Sequence, residues 1–294
     1  MSSSKLVLVT GATGNQGGAV VQALLNQGHR VRALTRNPAS PAAKRLSEQG
    51  VQIAVGDFAD HDSLVRAARG VDAVYAMTTP FEQGVEQETA QGIAMTDAAK
   101  AVGIGHLVYS SVASADRATG IPHFDSKYEV EKHIQSSGVP YTIIAPVFFM
   151  DNLLQPWILS GLHQGKLAMA LPATHPLQQI AVADIGAFAT AVIERRDTVL
   201  GRRFDIAGDE LTGEEAAAIL SRVTGREIRY EGFPPDVLRA QSEDMALMFE
   251  WFASTGYAAD IDGLRRDFPE VEWHDFEAWA RKQDWSVLDG SGEA

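Results

Sequence analysis

The chain has 294 residues, 45% hydrophobic and 21% charged, enough to bury a sizeable core and form two domains, which excludes a disordered, fibrous or disulfide-stapled scaffold. It contains no cysteine, which removes disulfides, thiol nucleophiles and cysteine-bound zinc and leaves any redox chemistry to a cofactor. A net charge of −13 argues against direct nucleic-acid binding; the start MSSSK has no apolar leader and the longest apolar run is residues 141–150, so a cytoplasmic protein without a membrane span is expected.

Residues 5–18, KLVLVTGATGNQGG, run a β-branched strand into a glycine-rich turn and then into the helical pattern AVVQALLNQG. At a strand-to-helix junction glycine removes the Cβ that blocks a phosphate, and the helix start presents unpaired backbone N–H groups at its positive end. Gly11 is placed at the tight turn, Gly14 where the phosphate enters and Gly17 where helix packs on strand, with Thr13, Asn15 and Gln16 completing the candidate pyrophosphate cradle. The spacing is one residue wider than the commonest dinucleotide fingerprint, so its position between strand and helix carries the inference.

The second strand, residues 30–36, ends where a carboxylate binds the ribose 2′-hydroxyl in NAD proteins, about 20 residues past the glycine turn. Thr35 and Arg36 stand there instead. A guanidinium fork matches a 2′-phosphate, so the cofactor expected is NADP(H). Lys44 is either a second positive charge for this site or solvated surface. After the third strand, Asp57 and Phe58 are placed to receive the adenine, although Asp57 also reads as a turn residue. After the fourth, Thr78, Thr79 and Pro80 keep the chain close to the cofactor before a long helix at 85–102.

Two further strands, LVYSS and YTIIA, follow with a helix from about 123 to 136 between them. Six apolar runs separated by amphipathic segments predict an α/β protein with a doubly wound parallel sheet, a Rossmann domain, whose ligands lie beyond the carboxyl ends of the strands. Regular alternation stops near 148. The expected division is a nucleotide-binding domain over 1–147, rejoined by 178–206, and a smaller discontinuous α/β lobe from 148–177 and 207–294. Asp184 is expected to cap a helix, and Thr212 with Glu215 to form a capping box. Met245, Met248, Phe249, Trp251 and Phe252 either line an apolar pocket or pack a lobe core.

Taken together, TGATGNQGG, ALTRN, GDF, TTP, VYSSVAS, HFDSKYEVEK, VPYTIIAPVFFMDN and ADIG resemble the NmrA-like family of atypical short-chain dehydrogenases/reductases over nearly the whole chain. That resemblance implies either an NADP-dependent reductase or a redox sensor that binds NADP without turnover. Enzymes of the wider superfamily carry a tyrosine acid and a lysine four residues later, the lysine holding the nicotinamide ribose. Two registers compete for this pattern. In one, His123 replaces the tyrosine, with Ser126, Lys127 and Glu131 following; in the other, Tyr128 pairs with Lys132. Adjacent helical positions are rotated by about 100°, so only one set faces the cofactor, and Ser126 and Glu131 favour the first. His123 is then a candidate proton donor or simply a residue at the helix start.

The assisting serine is sought at Ser110 or Ser111, but Val112 and Ala113 follow where a hydroxyl is expected, leaving the triad incomplete. The resemblance also places Pro146, Phe148 and Phe149 near the nicotinamide with Asn152 just beyond, and Ala145 stands where the family often has arginine. The expected activity is hydride delivery from NADPH to a small apolar acceptor: a quinone, activated alkene or carbonyl. The alternative is a sensor with a regulatory protein partner. The helices at 85–102 and 123–136 suit a homodimer contact or packing on their own sheet.

Overall fold

Residues 4–288 are described by the computed structural model. Strand β1 (Leu6–Val9) is buried along its whole length, with Val7 and Val9 in one core and Leu8 in another. A strand covered on both faces requires just such an unbroken apolar run. The chain continues through α1 (Asn15–Asn26), β2 (Arg30–Thr35), α2 (Pro41–Glu48), β3 (Gln52–Val55), α3 (His61–Ala68), β4 (Ala73–Met77), α4 (Val85–Ala101), β5 (Leu107–Ser110), α5 (Pro122–Ser137) and β6 (Tyr141–Pro146). It leaves the main sheet through β7 (Phe148–Phe149), α6 (Pro156–His163), β8 (Lys166–Met169) and β9 (Pro176–Ile180), then returns through α7 (Val182–Glu194) and α8 (Arg196–Val199) to β10 (Arg203–Ile206). The remaining elements are β11 (Asp209–Thr212), α9 (Gly213–Thr224), β12 (Arg229–Gly232), α10 (Asp236–Arg239), α11 (Glu243–Ser254), α12 (Ile261–Asp267) and α13 (Phe276–Arg281).

The seven-stranded parallel sheet has the order β10-β6-β5-β4-β1-β2-β3. Chain direction across the sheet reverses between β1 and β4, and the crevice beyond the carboxyl ends of such strands is where α/β sheets take their ligands. One face is covered by α1 and α7, whose backbones approach so closely that a Cβ on Gly186 would stand 2.5 Å from the Ala19 carbonyl oxygen. The other is covered by α3, α4 and α5, with Leu64, Met95, Ala98, Val130 and Ile134 against Leu8 and Val74.

A third core gathers Phe124 of α5 with Met150, Leu162, Leu167, Leu220, Phe249, Phe252 and Trp279 beside two small sheets, β11-β9-β7 and β12-β8. Met248, Phe249 and Phe252 are buried there, so the methionine and aromatic run is core packing. Helix α9 has the expected capping box: the Thr212 hydroxyl accepts from the Glu215 amide at 3.2 Å and the Glu215 carboxylate accepts from the Thr212 amide at 2.8 Å.

Asp184, expected as a cap, does not cap α7. Ala181 holds that position, while the Asp184 carboxylate accepts from the His274 amide at 2.9 Å and contacts His274 Nδ1 at 2.5 Å. The C-terminal part thereby reaches back to the main sheet. Phe268, just after α12, likewise packs edge-on against Phe188 at 4.6 Å between ring centres. Among the described residues no helix is long and apolar enough to cross a membrane.

Candidate functional site

The three glycines between β1 and α1 have different reasons to lack a side chain. Gly11 has φ of +62°, and a Cβ there would lie 2.2 Å from Met77 Sδ at the end of β4. A Cβ on Gly17 would lie 2.2 Å from the Gly11 carbonyl oxygen, so α1 can seat on the turn only without one. Gly14 has room: its nearest neighbour would be the same oxygen at an ordinary 3.5 Å, and its backbone is extended. Space around Gly14 does not demand glycine, which leaves a bare approach to the backbone at this turn. Gly14 is also the N-cap of α1 and supplies no side-chain acceptor, and the first turn contains no acid. Its free N–H groups and positive dipole end fit the pyrophosphate of a dinucleotide.

The neighbouring strands contribute side chains around this turn. Thr13 and Asn15 are exposed, whereas Gln16 turns inward and donates from Nε2 to Ser110 Oγ at 2.6 Å. Thr35 Oγ1 accepts from the Asn37 amide at 3.2 Å, and Arg36 pairs with Glu82 at 3.0 Å. Asp57 accepts from the Ala59 amide at 2.9 Å, the turn role foreseen as its alternative, and Phe58 packs partly against the core around Leu34 and Leu64.

At the other end of the crevice, Lys127 Nζ donates to the Thr78 carbonyl at 3.0 Å and pairs with Glu88 at 2.8 Å. Glu88 is wholly buried and accepts from Ser126 Oγ at 2.5 Å. Tyr109, also buried, lies near this carboxylate, and burial followed by that negative charge pushes its hydroxyl well above the ordinary tyrosine range. One turn earlier, both oxygens of Asp244 from α11 engage His123: the backbone N–H donates at 3.0 Å and Nδ1 stands at 2.6 Å. Burial opposes the charge on Asp244, but the contacts and charge of His123 outweigh it and hold the carboxyl below its ordinary range. Lys127 and His123 thus each face a carboxylate supplied by another helix.

Residues 3–280 match the NmrA-like family. The chain belongs to that family. A (4-alkanoyl-5-oxo-2,5-dihydrofuran-3-yl)methyl phosphate reductase of Streptomyces griseus is 34% identical over 239 residues, covering 80% of this chain and 79% of the relative. The crystal structure of an NADPH-dependent quinone oxidoreductase of Escherichia coli in complex with NADPH superposes with a TM-score of 0.79 at 24% identity, covering 97% of this chain and 100% of that one. Nmra, a negative transcriptional regulator, also reaches 0.79 at 20% identity, with 98% of each chain covered. These two likenesses establish the shared fold.

Within this NmrA-like fold the two helical registers separate. Lys127 reaches the end of β4, whereas Lys132 is about half exposed, pairs with Glu129 at 2.5 Å and lies 5.4 Å from the Tyr128 ring centre. Tyr128 packs against the third core. Ser111 donates to Glu131, which also takes Arg203 Nε at 2.9 Å, so its hydroxyl is turned toward α5 and β10. Burial raises the Glu131 carboxyl despite Arg203 and Ser111. Pro146 and Phe148 are buried, and Phe149 is half-buried against the core of α1 and α7.

Three acidic residues that hold this arrangement, Glu82, Glu88 and Asp244, were not singled out from the sequence. Glu88 and Asp244 sit in the first turns of α4 and α11, where an acid reads simply as complementing the helix dipole. No periodicity reveals that both point at residues of α5.

Proposed function

We propose that this chain is an NADPH-dependent reductase that acts on a small, fairly apolar acceptor such as a quinone, an activated alkene or a carbonyl compound. The observation that carries the reading is the open, uncapped Gly14 position in the same crevice as the Lys127–Thr78 contact. The names of the relatives support a reductase, although one of them acts on a phosphate ester. Backbone groups of Gly11, Thr13, Gly14, Asn15, Gln16 and Gly17 would hold the pyrophosphate, Thr35 and Arg36 the 2′-phosphate, and Asp57 with Phe58 the adenine. Thr78, Thr79, Pro80, Pro146, Phe148 and Phe149 would line the nicotinamide side, with Lys127 on its ribose.

Bound NADPH supplies the hydride. This chain's own contribution is positioning, which is most of what hydride transfer asks of a protein. His123, held at its Nδ1 side by Asp244, is the residue placed to give a proton to a reduced acceptor from Nε2.

NADPH consumption by the purified protein against quinones, activated alkenes, aldehydes and imines tests this, with NADPH binding measured in the same samples. Turnover with one class is expected. Arg36→Ala is expected to weaken NADPH by at least about tenfold, the order of a lost charge-assisted contact, while sparing NADH. Binding without any turnover would favour the second reading, a redox sensor with a regulatory protein partner. The observation on its side is that the hydroxyls of Ser110, Ser111 and Tyr128 are all engaged or packed elsewhere. A homodimer through α4 and α5 belongs to the same proposal and is checked by the mass of the protein in solution.

A further inference from the structure

Arg36 follows β2 and Glu82 follows β4, and β1 lies between these two strands in the sheet. Their 3.0 Å ion pair therefore links the carboxyl ends of the two strands that flank β1. The segment that carries Glu82 touches the crevice at more than one place. Its first residue, Thr78, accepts from Lys127. Phe81, 76% exposed, has its ring 6.2 Å from that of His123. The segment is closed on itself by Gly84 donating to the Pro80 carbonyl at 2.7 Å, with Gly84 at φ of +89° where it joins α4.

We propose that Glu82 is a specificity-determining residue: it competes with the 2′-phosphate of an incoming dinucleotide for the Arg36 guanidinium. This rests on Arg36 being the 2′-phosphate site. The guanidinium can present its fork to a carboxylate or to a phosphate, and the doubly charged phosphate is the stronger partner. Breaking the Glu82 contact subtracts from NADPH affinity but not from NADH affinity, because NADH has nothing to place on Arg36. Glu82 thus narrows the preference that Arg36 creates. Both partners are about three-fifths exposed, so the contact is in the range of a surface pair and the expected effect is modest.

Calorimetric titration of Glu82→Gln with NADPH, NADH and 2′,5′-ADP tests this without any need for turnover. NADPH and 2′,5′-ADP are expected to bind about two- to fivefold more tightly than to the parent protein, the size of a surface ion pair, with NADH unchanged. Unchanged NADPH affinity, or an equal gain for NADPH and NADH, overturns the role of Glu82. Arg36→Ala in the same titration separates this from the underlying reading. If that variant keeps the full preference for NADPH, the 2′-phosphate site is elsewhere; if it loses the preference while Glu82→Gln does nothing, only the Glu82 inference falls.

Discussion

The two ends of the crevice are built from different materials. In the dinucleotide site proposed around the glycine turn, the groups on offer are backbone N–H groups at the start of α1, and the side chains matter mainly by being absent. Along α5 the working groups are side chains, each held by a carboxylate brought from another element: Glu88 of α4 for Lys127, Asp244 of α11 for His123. A backbone site is specified by the local chain and fails through added atoms. A side-chain site is specified by packing and fails through lost partners.

That contrast is sharpest at Lys127. Replacing it by methionine leaves Glu88, wholly buried, without its counter-charge, and loss of one partner of such a pair costs about 3–5 kcal/mol. Urea unfolding of Lys127→Met, of Glu88→Gln and of the double variant checks this. The double variant is expected to be less destabilised than the sum, because the second change removes the stranded charge. Additivity would show that the two side chains do not act as a pair.

At the glycine turn the contrast predicts two different failures from the same added methyl group. Gly17→Ala forces a Cβ against the Gly11 backbone and is expected to cost about 1–3 kcal/mol of stability, with loss of dinucleotide binding. Gly14→Ala meets only a 3.5 Å neighbour and is expected to lose no more than the poorer N-cap costs, about 0.5–1 kcal/mol, while binding NADPH at least about tenfold more weakly, some 1.4 kcal/mol. Thermal denaturation and NADPH titration of the pair separate the two. A Gly14→Ala protein that binds normally would break the assignment of that position to the phosphate.

Asp244 predicts a pH signature. Its folded-state carboxyl lies below the ordinary value of 3.8, so the stability it contributes is fully present above that value and is lost as pH falls through the lower folded one. Asp244→Asn is therefore expected to lower the urea midpoint at pH 7 and pH 5 alike, and the gap to the parent should close below about pH 4. A gap that persists undiminished at pH 3 would mean that charge plays no part. Because Ile121, the N-cap of α5, provides no side-chain acceptor and Asp244 accepts from the His123 amide, Asp244→Ala, which removes the acceptor that asparagine keeps, should speed hydrogen exchange at the start of α5.

The smallest effect belongs to the other register. Lys132→Ala removes an exposed pair with Glu129 and a contact with the Tyr128 ring, and should change stability by less than about 0.5 kcal/mol and leave NADPH binding intact. Strong loss of binding would exchange the roles of the two registers.

Much of this molecule follows from the sequence because the responsible forces are local. The six apolar runs are strands, since a doubly covered parallel sheet leaves its central members β1, β4 and β5 no polar face. The glycine turn is legible because steric demand is written in residue type: no other residue satisfies Gly11 and Gly17. The capping box at Thr212 and Glu215 involves partners three residues apart and was readable for the same reason. Asp184 shows where such reading ends. It has the composition of a cap, yet its partner is His274, 90 residues away. Only the tertiary structure turned Ser111 toward Glu131, packed Tyr128 against a core and brought Glu82, Glu88 and Asp244 to Arg36, Lys127 and His123. A carboxylate at a helix start or in a loop looks the same in sequence whatever it meets. Its charge acts through space, and the fold alone determines which base lies within 3 Å of it.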